Sequence, residues 1–143
     1  MRDVELHVPP DVQYVGLVRL VVTAGARQAG MTNERIEDLK IAVSEATTNA
    51  IQAHRREQAD GPITLQFGSA STDQFHVTIL GAGYIPTGVD GSESTAAGER
   101  NLGLTLIRGL ADVVDFQGPT TKASVHMRFT VGLTPPAANV DSL

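Results

Sequence analysis

Residues 36–54, IEDLKIAVSEATTNAIQAH, carry an apolar stripe at helical spacing, which commits a long stretch of chain to one helix with one covered face. Leu39, Ala42, Val43, Ala46 and Ala50 make the stripe. Asn49 lies at its margin, and Glu45 stands one turn earlier. At 3.6 residues per turn, i and i+4 positions share a face, offset by about 40°. A carboxylate and an amide oxygen held there could share a hard cation such as Mg²⁺, or polarise a hydroxyl. An ordinary amphipathic helix with two polar residues toward solvent fits the same pair, since such spacings are common on helices.

Around this helix the chain is punctuated into short elements. Residues 3–8 alternate loosely and predict a strand, closed by Pro9 and Pro10. Val12, Val15, Val18, Val22 and Ala26 recur at helical spacing and predict a first helix over 11–28. Leu17, Leu20 and Val21 widen its apolar face, so this helix is predicted to be mostly buried or to meet a partner. Gly30 takes the C-terminal position that glycine favours. Thr32 and Asn33 offer an N-cap, with Glu34, Glu37 and Asp38 in the first turns, and the second helix is predicted to run to about Arg56.

Ile63, Leu65 and Phe67 alternate with Thr64 and Gln66, and Phe75, Val77 and Ile79 alternate with His76 and Thr78. With a polar turn over 69–74 these segments predict an antiparallel hairpin. Residues 87–100, TGVDGSESTAAGER, lack periodicity and read as a long flexible loop. A third helix is predicted from Leu102 to about Val113, then strands over 114–117 and 123–131 joined by Gly118-Pro119. Residues 132–143 contain Pro135 and Pro136 and are predicted to fray. Residues 1–131 therefore read as a single domain of α+β class, with helices on one face of a mostly antiparallel sheet.

Composition removes several function classes. The 143 residues suffice for one domain with a real core. A net charge of −5 argues against nucleic acid as a direct partner, because phosphate binding needs clustered Lys and Arg. The basic cluster His54, Arg55 and Arg56 ends the second helix, where positive charge complements the helix dipole. Aromatics are 4% and Trp is absent, which leaves no stacking platform for single-stranded nucleic acid. Cysteine is absent, so neither disulfides nor thiolate metal sites can form, consistent with a cytoplasmic protein. No run of 18 apolar residues exists and MRDVELHV lacks the core of a signal peptide, so no membrane association is expected. His7, His76 and His126 fall on separate strands without ligand spacing, and surface or pairing roles are expected of them. Asp38, Asp112 and Asp115 read as capping or solvent-facing residues, and Ser44 as a small helix residue.

Three blocks then line up: Glu45-x-x-x-Asn49 on a helix, Gly81-x-Gly83 after a strand, and Asn101-Leu102-Gly103-Leu104 opening a helix. Glycines there let backbone approach a ligand, and a helix start offers free N–H groups to phosphate oxygens. A lone GxG is weak evidence; the ordered set, with a long loop between the glycine blocks, is much more specific.

In this set the chain resembles the GHKL ATPases of the Bergerat fold, and within them the bacterial anti-sigma-factor serine kinases. The strongest pieces are LKIAVSEATTNAIQAH and NLGLTLIRGLADVVDF. The resemblance implies a two-layer sandwich and binding of ATP with Mg²⁺. It implies Glu45 as general base, Asn49 as Mg²⁺ ligand, and Gly81 and Gly83 beneath the nucleotide. Asn101, Leu102, Gly103 and Leu104 match the segment whose amides meet phosphate, 87–100 the ATP lid, and Ser124 a position near the adenine pocket. The implied activity is phosphorylation of an anti-anti-sigma partner on Ser or Thr, controlling release of a sigma factor. The resemblance also suggests a homodimer. Its alternative is a module that sequesters a sigma factor or another regulator without using ATP.

Two departures stand out. The family's Asp-x-Gly-x-Gly motif has Ile79 in place of the Asp that accepts the adenine amino group. An unpaired buried donor costs about 1–3 kcal/mol, or about 5- to 150-fold in affinity. Asn101 stands where the family has Gly, a milder change because Asn tolerates left-handed backbone.

Overall fold

The computed structural model describes residues 3–80, 105–117 and 124–132. In chain order these form strand β1 (Val4–Val8), a 3-10 turn (Val12–Tyr14), helices α1 (Val15–Gln28) and α2 (Asn33–Arg56), and strands β2 (Ile63–Ser71) and β3 (Gln74–Leu80). Helical residues 105–110 (α3) follow, then strands β4 (Val113–Gln117) and β5 (Ser124–Thr130). Among the described residues the sheet runs β1-β2-β3-β5-β4, and its four pairings are all antiparallel. The α+β class and the two-layer arrangement stand as the sequence predicts.

Alternation builds the core. One row across the covered face reads Leu6, Leu65, Ile79, Val125, Phe116, each opposite the next. Phe67, Val77, Met127, Phe75 and Phe129 continue that face and are fully buried. Against it α1 lays Val18, Val22 and Ala26, and α2 lays Ile36, Leu39, Val43, Ala46 and Ala50. Burying each of the Val, Leu, Ile, Phe and Met side chains stabilises by about 1.5–3 kcal/mol, which outweighs the propensity of any one element.

Chain punctuation behaves as local chemistry dictates. Gly30 has φ +94°, and the Met31 N–H reaches back to the Ala26 carbonyl at 3.0 Å, a Schellman ending for α1. The Thr32 hydroxyl then accepts from the Arg35 N–H and caps α2.

Four expectations are corrected. The first helix is not continuous from 11: Asp11 caps the 3-10 turn through the Gln13 N–H, and α1 starts at Val15. Its widened apolar face is not mostly buried among the described residues: Val21 packs partly against the core, but Leu17 and Leu20 are 48% and 66% exposed, which leaves the other branch of the expectation, a partner. The hairpin turn is tighter than 69–74, because β2 continues to Ser71 through a register shift and β3 begins at Gln74. The third helix ends at 110, not Val113: the Ala111 N–H closes the last helical bond to Ile107, and the Asp112 N–H turns to the Arg128 carbonyl in the sheet. The expected lid over 87–100 and most of the 132–143 tail lie outside the described residues. Among the described residues no helix is long and apolar enough to cross a membrane.

Candidate functional site

Glu45 and Asn49 sit in the middle of α2, one turn apart, as the sequence requires. Asn49 is only 5% exposed, and its Nδ2 is buried with no hydrogen-bond partner among the described residues. A buried donor left unsatisfied costs about 1–3 kcal/mol, so fold stability does not explain an amide here. The group is of a kind that an oxygen-rich ligand would satisfy. The amide suits such a ligand in two ways, its oxygen toward a hard cation and its N–H toward a phosphate oxygen.

Glu45 is half-buried and borders an open depression of about 530 Å³ on the α1 side of α2. Arg19 from α1 and Lys40, Ile41, Ser44 and Thr48 from α2 form the rest of its wall, with Glu37 at the rim. Arg19 donates to the Ser44 hydroxyl at 3.1 Å, and Lys40 pairs with Glu37 at 3.0 Å. The Glu45 carboxylate takes part in no ion pair among the described residues. Asn49 does not line this depression; it lies on the other flank of Glu45, toward the core.

On the sheet, Ile79 faces the helices between Leu65 and Val125 and is 1% exposed. Ser124 pairs with Leu80 and Gln117, so its side belongs to the uncovered face, and Val125 is the β5 residue beside Ile79. The structure therefore does not bring Ser124 to the face that carries Ile79. Gly81, Gly83, Asn101, Leu102, Gly103 and Leu104 lie outside the described residues. Ile107, three residues after Leu104, is fully buried and anchors α3 in the core.

Two arrangements escaped the sequence. His54 is 2% exposed, its Nδ1 without a partner among the described residues, because it continues the buried face of Val43, Thr47 and Ala50. Strand register also brings His76 and His126 together on the face away from the helices, their ring centroids 5.7 Å apart. Asp3 accepts from His76 Nε2 at 2.9 Å, and Thr78 Oγ1 bonds His126 Nδ1 at 2.6 Å. Burial, then the nearby His76 and Arg128 charges, lower the His126 pKa below the ordinary histidine value, while Asp115 opposes them. Among the described residues no group of three or more His, Asp or Glu is placed to hold a metal.

A model of the histidine kinase-like ATPase domain matches residues 8–129. The chain belongs to this family. As an ATPase domain of this kind it is 34% identical to the serine-protein kinase RsbW of Bacillus subtilis, over 92% of this chain and 83% of that protein. A shorter stretch, 46% of this chain and 41% of the relative, is 45% identical to RsbW of Bacillus velezensis. RsbW of Listeria monocytogenes is 44% identical over 47% of this chain and 43% of its own length. In solved structures the ATPase domain matches the RsbU and RsbW domains of a Mycobacterium tuberculosis protein with a TM-score of 0.67. That match covers 96% of this chain and 34% of the other at 14% identity, and so speaks for the fold alone.

Proposed function

We propose that this chain is an anti-sigma factor of the serine-kinase type, which binds Mg-ATP and phosphorylates an anti-anti-sigma partner. One observation carries the reading. The buried Nδ2 of Asn49, without a hydrogen-bond partner among the described residues, stands one turn from the Glu45 carboxylate, which joins no ion pair among those residues, in an ATPase domain related over most of its length to a serine-protein kinase.

In this reading Glu45 accepts the proton of the partner's serine hydroxyl. The serine oxygen then bonds to the γ-phosphorus, and the bond to the β-phosphate oxygen breaks, its electrons leaving with ADP. Asn49 would hold Mg²⁺, which when bound would supply positive charge against the phosphates. Gly81 and Gly83 support the nucleotide, and the amides of the 101–104 segment meet its phosphates. Positioning and charge neutralisation carry most of such a transfer, so few protein groups are needed. The open depression beside Glu45 admits a partner loop, with Arg19, Lys40 and Ile41 as its contacts. Unmodified partner competes with a sigma factor for the kinase, and phosphorylation releases the partner. A homodimer acting in the cytoplasm belongs to the same reading.

The test is calorimetric titration of the chain with ATP in the presence and absence of Mg²⁺, beside Asn49→Ala. Micromolar, Mg²⁺-dependent binding that Asn49→Ala weakens at least tenfold supports the reading. No binding by the parent chain sinks it and leaves a partner-sequestering module.

A further inference from the structure

Arg35 joins three elements that are far apart in sequence. It sits in the first turn of α2 with its side chain only 12% exposed. Its Nη1 donates to Asp38 on the same helix at 2.8 Å, and its Nη2 donates to Asp112, just past α3, at 2.9 Å. Its Nε donates to the Thr130 carbonyl at the end of β5 at 3.3 Å, and its guanidinium lies 5.6 Å from the Phe129 ring centre. Asp112 closes the figure by accepting from the Thr130 N–H at 2.6 Å. A planar guanidinium offers five N–H groups in a fixed fork, so partners on three elements fix their mutual orientation as apolar packing does not.

We propose that Arg35 is a positioning residue: with Asp112 it locks the end of α3 and the end of β5 onto α2. The consequence rests on the functional reading above. There, phosphate contact is assigned to the 101–104 segment, which precedes α3 in the sequence, and the Mg²⁺ contact to Asn49 on α2. A lock between the two helices then sets one half of the site against the other. Loss of the lock leaves Glu45 and Asn49 in place on α2 and frees α3 to shift.

Asp38 and Asp112 are matched controls. Both bond Arg35 through one oxygen, at 2.8 and 2.9 Å, and both are 34% exposed. Only Asp112 bridges elements. Asp112→Asn keeps an acceptor for the Thr130 N–H and removes the charge, while Asp38→Asn removes an equivalent pair within α2.

Amide hydrogen exchange of residues 107–110 is measured in the full chain without nucleotide, alongside Mg-ATP affinity by calorimetry. The expected result is exchange about fivefold faster, and a Kd about fivefold higher, in Asp112→Asn and in Arg35→Met, with Asp38→Asn within twofold of the parent on both. Arg35→Lys keeps the charge without the fork and should restore affinity only in part. Equal effects from the two Asp variants, or none from Asp112→Asn, overturn the lock. Should Arg35→Met fail to fold, the Asp pair still decides. A parent chain that binds no nucleotide overturns the functional reading alone, because the exchange rates still judge the lock.

Discussion

Ile79 and Val125 stand directly opposite each other on the helix-covered face of the sheet, 1% and 0% exposed. Neither side chain offers a hydrogen-bonding atom. Ile79→Asp places a carboxylate between Leu65 and Val125, and the unliganded protein should lose about 3 kcal/mol or more. Chemical denaturation measures that loss. Saturating Mg-ATP should raise the midpoint of the variant more than that of the parent, because the base brings the donor the carboxylate lacks. Equal ligand shifts in both proteins would count against a base pocket at this position.

Glu45→Gln removes the proton acceptor and preserves shape. Phosphoryl transfer to an anti-anti-sigma protein should fall by about 10²- to 10⁴-fold, with Mg-ATP affinity changed by less than about threefold. A radiolabel transfer assay beside calorimetry separates the two. Full activity in the variant would remove Glu45 from the chemistry.

His126 has a pKa held below its ordinary value, first by burial and then by His76 and Arg128. The folded state therefore resists protonation more than the unfolded chain does. Its stability contribution is complete above the unfolded histidine pKa and is lost as pH falls through that value toward the folded one. The urea midpoint should decline from pH 7.5 to 5.5, and His126→Gln should flatten that slope. An unchanged slope would assign the acid response to other groups.

Leu39 and Leu20 test the division of the helical layer. Leu39→Ala empties a fully buried position on α2 and should cost about 2–5 kcal/mol. Leu20, 66% exposed on α1, should tolerate Ala within about 0.5 kcal/mol in dilute monomer. A large loss at Leu20 would mean that its face is covered in solution.

These cases also mark where the sequence was legible. Period and punctuation located α2, its Thr32 cap and the Gly30 ending of α1, because each depends on neighbours within a turn or two. Glu45 and Asn49 shared a face for the same reason. Exposure of Leu17 and Leu20 was not legible, since periodicity reports a helix face and not what covers it. Nor was the Arg35 network: the Arg35-Asp38 spacing is visible in the chain, but the Asp112 partner needs the fold. The same holds for His76 and His126, which meet only through the β3–β5 register. Strand parity also decides that Val125, not Ser124, adjoins Ile79, and a single residue of register reverses that assignment.

The strand order has a consequence for synthesis. Val8 pairs with Ile63 and Val4 with Phe67, so β1 has no partner until both helices and the first residues of β2 have left the ribosome. β4 likewise waits, since among the described residues its one neighbour in the sheet is β5, which is made after it. The nascent chain can therefore build its helices and the β2–β3 hairpin early, while both edge strands stay unpaired for part of translation. Long-range pairings of this kind slow folding and leave strand edges exposed to other chains. Yield of this protein should accordingly be more sensitive to elongation rate and chaperone supply than that of an equally sized helical bundle.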